Sequence, residues 1–320
     1  MSSSAEKHSI NPKLYFRIAR VDHWFKNVFV LPGTLIAAVF FQIPFSRFAS
    51  AFVIGILSTC LIASANYVIN EWLDAEFDCF HPVKKNRPSV IARLSPFLVL
   101  TEYVLLLAAG FSLGNIVGKG FLMTTALFAL MGVLYNVKPF RTKDKAYVDV
   151  LSESVNNPIR LALGWFIVSD MQMPPSSPLM TYWMGGAYLM AIKRYAEYRF
   201  IGNPELASKY RRSFKFYDEN RLLVSAFFYA LSAAFFGGVF LIKYRIELLL
   251  TFPFLAVLFA WYLAIGMKPD SAAQHPEQLY KEPRFIAYVL FVAILVTALF
   301  IIDVPSLAWF LNRAFIATPW

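Results

Sequence analysis

An all-α polytopic membrane protein, about nine transmembrane helices packed in a bundle around a central cavity, is the fold this sequence predicts. Three observations predict it. Of 320 residues, 58% are hydrophobic and only 16% charged, against roughly 25% charged in a soluble domain. The apolar residues fall into runs close to the ~20 needed to cross a hydrocarbon core. The basic residues gather in alternate loops between those runs.

The runs cover residues 25–43, 48–70, 96–116, 120–137, 148–168, 178–199, 222–242, 247–267 and 285–303. Residues 1–24 read as a polar N-terminal segment, 25–303 as one transmembrane domain, and 304–320 as an aromatic-rich interfacial tail. No Ala-x-Ala cleavage site follows the first run, so it reads as a span rather than a signal peptide. No internal repeat is visible.

The charges give the bundle a direction. Lys13, Arg17, Arg20 and Lys26 precede or open the first run. Lys84, Lys85, Arg87 and Arg93 follow the second, and Lys138, Arg141, Lys143 and Lys145 follow the fourth. Lys209, Arg211, Arg212 and Lys215 follow the sixth, and Lys268, Lys281 and Arg284 follow the eighth. With nine runs all of these lie on one side, and the positive-inside rule makes that side cytoplasmic. The N-terminus is then inside and the C-terminus on the opposite side, across the inner membrane if the source is a bacterium. The net charge of +10 thus belongs to membrane topology, and nucleic acid is not an expected partner. Cys60 and Cys79 lack metal-ligand spacing.

The second run ends in a polar ladder. Asn66, Asn70, Asp74 and Asp78 recur every four residues, so they form one slowly drifting stripe on a helix. Carboxylates one turn apart at a membrane boundary repel unless a cation lies between them. Oxygen ligands suit Mg2+, which takes one or two carboxylates together with substrate phosphates. A basic segment, His81-Pro82-Val83-Lys84-Lys85-Asn86-Arg87-Pro88, follows at once and suits phosphate oxygens.

A second acidic segment opens the fifth run. Asp149, Glu153, Asn156 and Arg160 are spaced i, i+4, i+7 and i+11, a helical stripe roughly 60° wide that must face an interior rather than lipid. Pro158 loosens the helix there. A Glu153–Arg160 pair is the structural alternative for these groups. Tyr135, Arg141 and Lys143 precede the stripe, and Lys193 and Arg194 close the sixth run, where Lys193 and Glu197 have the spacing of a helical ion pair. The basic loop beyond, with Tyr210, Arg211, Arg212 and Tyr217, is a candidate lid.

The ladder resembles the first aspartate-rich motif of the UbiA superfamily of intramembrane prenyltransferases, at Asn70, Asp74 and Asp78. Glu71 stands where many members have Asp. Asp149 and Glu153 look like the second motif, with Glu in its last slot, and Arg87-Pro88 matches a pair members share. The resemblance implies nine helices, a site at the cytoplasmic side and Mg2+ held by Asn70, Asp74, Asp78, Asp149 and Glu153. Diphosphate contacts then fall to Asn70, Lys84, Arg87, Tyr135, Asn157, Arg160, Lys193 and Arg194, with Asp149, Glu153, Lys143 and Arg141 at the reacting centre.

Two donors are compatible. A prenyl diphosphate would alkylate a second small-molecule substrate with release of diphosphate, its allylic cation steadied by aromatic rings. Alternatively, phosphoribosyl diphosphate would donate to a polyprenyl phosphate. Asp22-His23-Trp24-Phe25-Lys26-Asn27 and the spacing from Asp78 to Pro88 are similar to the decaprenyl-phosphate phosphoribosyltransferase branch. The stretches 136–144 and 152–160 depart from it. A transporter for an anionic substrate is the reading from another class, disfavoured by polar groups clustered at one face and the lack of repeats.

Overall fold

The computed structural model describes residues 11–302 and 304, apart from 171, 270 and 275. The expected tail at 304–320 and the first ten residues therefore lie almost wholly outside the described residues. The helices are α1 (Pro12–Ile18), α2 (Leu31–Phe41), α3 (Ala49–Asp78), α4 (Pro88–Ile91), α5 (Pro96–Val117) and α6 (Lys119–Asn136). They continue with α7 (Val148–Ser154), α8 (Asn156–Val168), α9 (Ser176–Ile201), α10 (Pro204–Tyr210), α11 (Glu219–Tyr244), α12 (Phe252–Gly266) and α13 (Pro283–Ile301). No strand occurs among the described residues.

Each expected run coincides with helix, and among the described residues six stretches are long and apolar enough to cross a membrane: Pro12–Phe41, α3, α5, α11, Ile246–Gly266 and α13. The first is not one regular rod. A 3-10 segment, Val21–Val30, joins α1 to α2. The runs expected at 120–137, 148–168 and 178–199 are helical but fall outside that set of six. The interior stretch breaks at Val155 between α7 and α8. Pro158 lacks an N–H and its ring crowds the carbonyl of residue 154, four positions back. Helix α9 carries Lys193, Arg194, Glu197 and Arg199, which lower its hydropathy.

Length places the polar residues. The 30 residues of α3 extend about 45 Å at 1.5 Å each, well beyond a hydrocarbon core of about 30 Å. Its last turns, with Asp74 and Asp78, therefore project past the apolar zone. The C-terminal ends of α3, α6 and α9 and the N-terminal end of α7 meet there. The outer faces are apolar: Val224, Phe227, Phe228, Leu231 and Phe235 recur at helical spacing on α11 and are all exposed. In water such a surface would aggregate, whereas in lipid it is the solvated face.

The two largest of four interior clusters among the described residues hold the bundle. One joins α2, α3, α6 and α8 through Ile62, Phe121, Phe128, Leu163 and Trp165. The other joins α9, α11, α12 and α13 through Tyr188, Ile192, Tyr229, Ile265 and Phe285. Helices α2 and α8 approach especially closely. A Cβ on Gly33 would lie 1.9 Å from the Leu161 carbonyl oxygen, and one on Gly164 would lie 2.0 Å from that of Val30. Reciprocal glycines permit the backbone contact that drives helix association in lipid.

Candidate active site

Asp74 and Asp78, one turn apart on α3, line a small cavity with Arg141, Lys143, Tyr210 and Arg211. The stripe read from the sequence therefore faces inward. Asp74 receives Lys143 Nζ and the Nη2 of Arg141, the latter at 3.0 Å. Asp78 pairs with Arg87 at 2.5 Å. Asn70 donates to Asn136 Oδ1, which also accepts from Lys143 at 2.7 Å. Arg141 and Tyr147, in the loop between α6 and α7, adopt φ +26° and +64°, a costly conformation for non-glycine residues. Tertiary contacts hold both: Arg141 sits on Asp74, and the Tyr147 N–H donates to the Tyr217 hydroxyl at 2.5 Å.

The second acidic motif is organised by one guanidinium. Arg194 on α9, 1% exposed, reaches Asp149 at 3.3 Å, Glu153 at 2.5 Å and Glu197 at 3.5 Å. Tyr135 donates to Glu153 at 2.6 Å and accepts from Arg194 at 3.2 Å. Asp149 is fully buried. Its oxygens also take Tyr217 at 2.7 Å and Ser213 at 3.1 Å, with Arg211 at 3.7 Å. So saturated, Asp149 clamps the 202–218 segment onto the bundle in this conformation, and that segment delivers Tyr210 and Arg211 to the cavity beside Asp74.

Glu197 is a further hub. It accepts Lys84 at 2.5 Å and Tyr210 at 2.9 Å, and lies 3.5 Å from His81 Nε2. The Lys193–Glu197 pairing suggested by spacing gives way to these partners. Lys193 lies within electrostatic reach of Glu153. Burial pushes the Lys143 ammonium down to about 8, Asp74 opposing the shift. It also lowers Lys84, with Glu197 opposing, and lowers His81. Burial and the neighbouring Glu197 push the Tyr210 phenol well up.

Three sequence-derived residues lie elsewhere. Arg160 does not meet Glu153. Its Nε donates to Asn27 Oδ1 at 3.0 Å and its guanidinium covers the Phe128 ring. Asn157 packs against Gly186 on α9. Glu71, offset by one position from the ladder, is buried and takes Arg20 at 2.8 Å, so it supports the α1 end rather than the cavity. Conversely the sequence offers Glu197 only as a helical partner of Lys193, Tyr210 and Arg211 only as part of a candidate lid, and His81 only within the basic segment; none of them is singled out there as a site residue. The i−3 spacing of Arg194 and Glu197 was the available signal, but the pairing across to Lys84 and Tyr210 spans more than 100 residues in one case.

The donor chemistry fits a divalent cation. Asp74 and Asp78 offer hard oxygens to one cavity, and their charge is balanced here by Lys143, Arg141 and Arg87. No group of three or more acidic, His or Cys side chains converges to cage an ion among the described residues. An ion at this place would draw its remaining ligands from water and substrate oxygens, as Mg2+ commonly does.

An apolar helix bundle whose carboxylates, guanidiniums and ammoniums converge at one end has the architecture of an integral membrane protein with a single charged site. The chain belongs to the UbiA prenyltransferase family, matched over residues 28–280. It is 25% identical over 207 residues to decaprenyl-phosphate phosphoribosyltransferase of Mycolicibacterium smegmatis, covering 64% of this chain and 63% of that protein. It is 28% identical over 172 residues to protoheme IX farnesyltransferase of Shouchella clausii, covering 52% and 51%. The matched stretch is thus less than two thirds of either relative's length. A UbiA homologue from Archaeoglobus fulgidus, solved bound to GPP and Mg2+, has the same fold: TM-score 0.66 at 19% identity, covering 90% of this chain and all of that one.

Proposed function

We propose that the protein is a Mg2+-dependent integral membrane transferase that moves a prenyl group from a polyprenyl diphosphate to an acceptor and releases diphosphate. The observation that carries this reading is the cavity at the end of α3, where Asp74 and Asp78 face Arg141, Lys143 and Arg211. Asp74 and Asp78, with Asn70 one turn behind, would hold Mg2+, which supplies charge neutralisation to a departing diphosphate. Arg87, Lys84, Arg141, Lys143 and Arg211 bind and orient phosphoryl oxygens. For them to do so, the present ion pairs with Asp74, Asp78 and Glu197 must be exchanged for substrate. Arg194 holds Glu153 and Asp149 in place, with Tyr135 and Lys193 beside them. The apolar interior below the cavity takes the isoprenoid chain and excludes water.

A second reading, phosphoribosyl transfer to a polyprenyl phosphate, is favoured by a specific observation: a relative named for that activity aligns over 64% of this chain. The same cavity serves either donor. Purified protein with Mg2+ is to be offered geranylgeranyl diphosphate or phosphoribosyl diphosphate with lipid acceptors, and diphosphate release followed. Release from the prenyl donor supports the first reading, release from the sugar donor the second. Substrate-independent silence with both, alongside vesicle uptake of an anion, replaces them with transport. The density of cationic side chains around the cavity supports placing it at the cytoplasmic side.

A further inference from the structure

Asp144 lines the Asp74–Asp78 cavity, yet the donor site described above makes no use of it. By charge alone a carboxylate on the wall of a polyanion site repels what the site binds. Its ion-pair partners among the described residues are two guanidiniums. Oδ2 lies 3.2 Å from Arg141 Nε and 3.8 Å from Arg212 Nη1. The first contact is local. The Asp144 N–H donates to the Arg141 carbonyl oxygen at 3.0 Å, and this turn folds the two side chains together. The second contact reaches across to the 202–218 segment. Phe77, one residue before Asp78, faces both cations, its ring centre 4.6 Å from the Arg141 guanidinium carbon and 5.4 Å from that of Arg212.

Arg141 is engaged along every edge. Nη2 donates to Asp74 Oδ1 at 3.0 Å, and Nη1 donates to the carbonyl oxygens of Asn136 at 3.1 Å and Leu73 at 3.5 Å. Nε faces Asp144 as an ion pair without hydrogen-bond alignment. The side chain is 6% exposed, and Asp74 and Asp144 are the carboxylates within ion-pair distance of it among the described residues. These two partners are not equivalent. Asp74 is the one to be given up if Arg141 is to hold a phosphoryl oxygen. Asp144 stands outside that exchange, since no third acid joins Asp74 and Asp78 to cage an ion among the described residues. A buried guanidinium stripped of every carboxylate is costly, and one free to swing loses the preorganisation that makes its charge useful. Asp144 supplies both the compensation and the aim.

We propose that Asp144 is a positioning residue of the donor site: it holds the Nε edge of Arg141 so that the Nη2 edge can pass from Asp74 to a diphosphate oxygen. The proposal rests on the reading of this cavity as a diphosphate site, and adds to it the group that keeps Arg141 aimed at a backbone φ of +26°. Through Arg212 the same oxygen ties the α6–α7 loop to the segment that brings Arg211 to the cavity.

Binding without turnover gives a test whose sign decides. Detergent-solubilised protein with Mg2+ is titrated with inorganic diphosphate by calorimetry, so that neither a transferable group nor an acceptor enters. Asp144→Asn is expected to weaken diphosphate binding about tenfold, and Asp144→Glu to restore most of it. Arg141→Gln should weaken binding further, and in that background Asp144→Asn should add nothing, because the side chain it positions is gone. The Mg2+ concentration needed at saturating diphosphate should stay that of the parent. A carboxylate that merely lines the cavity predicts the opposite, since its removal relieves repulsion. Unchanged or tighter binding in Asp144→Asn therefore overturns the proposal. So does an equal loss in the Arg141→Gln background, or a raised Mg2+ requirement, which would make Asp144 a metal ligand. Asp144→Ser, smaller and also neutral, repeats the test should Asp144→Asn not fold. If the parent binds no diphosphate, the donor-site reading falls and the positioning role with it. If parent and Asp144→Asn bind it equally, the positioning role falls alone.

Discussion

Asp74 and Asp78 have the same chemistry and different keepers. Asp74 answers to two cations from the α6–α7 loop, Asp78 to Arg87 just downstream. If both hold the metal with substrate, Asp74→Ala and Asp78→Ala each lower kcat by about 10²–10³-fold, the usual loss when a preorganised electrostatic group is removed. Membrane insertion should persist, and full activity in both variants would refute the assignment. Lys143→Met should instead raise KM for the donor about 10–100-fold, the equivalent of one charge-assisted hydrogen bond, while Mg2+ dependence persists. Arg194 behaves differently. Removing one partner from a buried ion cluster costs about 3–5 kcal/mol, so Arg194→Met should lower thermal stability as well as activity.

His81 gives a pH-dependent prediction of defined sign. Its Nδ1 accepts the backbone N–H groups of Val83 and Lys84 at 3.1 and 3.2 Å, and burial lowers its affinity for a proton. Below the ordinary histidine range of about 6.5, the unfolded chain therefore binds more protons than the folded one. Stability then falls as pH falls through that range. The melting temperature in detergent should drop between pH 7.5 and 5.5, and the drop should shrink in His81→Gln. An identical drop in both proteins would remove His81 as its cause.

At the scale of elements, the contact between α2 and α8 sets the frame that aims Arg160 and Asn27 at each other. Gly33→Ala drives a methyl group to 1.9 Å from the Leu161 carbonyl oxygen, and backbone cannot yield as a side chain can. Gly33→Ala should therefore lower the melting temperature sharply. Gly238→Ala on α11, where a Cβ meets nothing within 4 Å, should be neutral or stabilising by up to about 1 kcal/mol. Element existence was legible because hydrophobic run length is a strong signal. The break at Val155 was foreshadowed by Pro158. The 3-10 passage through Val21–Val30 was not, since no local pattern distinguishes it from the helix on either side.

For the whole molecule, the charge asymmetry makes a topological prediction. Cys79 is exposed and directly follows the cavity-lining Asp78 in the chain, whereas Cys60 is buried. A membrane-impermeant maleimide should therefore label Cys79 in inside-out vesicles and leave it unlabelled in right-side-out ones. The reverse pattern would place the cavity on the outer side. Donor protection of Cys79 against labelling would further tie the cavity to substrate.

The sequence by itself determined the solvent, the class of fold and the two acidic stripes, because those depend on composition and on local periodicity. Run lengths near 20 residues and spacings of four survive any packing arrangement. Only the tertiary structure decided who meets whom. It turned the expected Lys193–Glu197 pair into a Lys84–Glu197–Arg194 hub, separated Arg160 from Glu153, and saturated Asp149 with the strap from 202–218. Those outcomes depend on contacts between residues tens to more than a hundred positions apart. A charge in low dielectric takes the nearest compensating partner in space, and one-dimensional spacing carries no record of that partner.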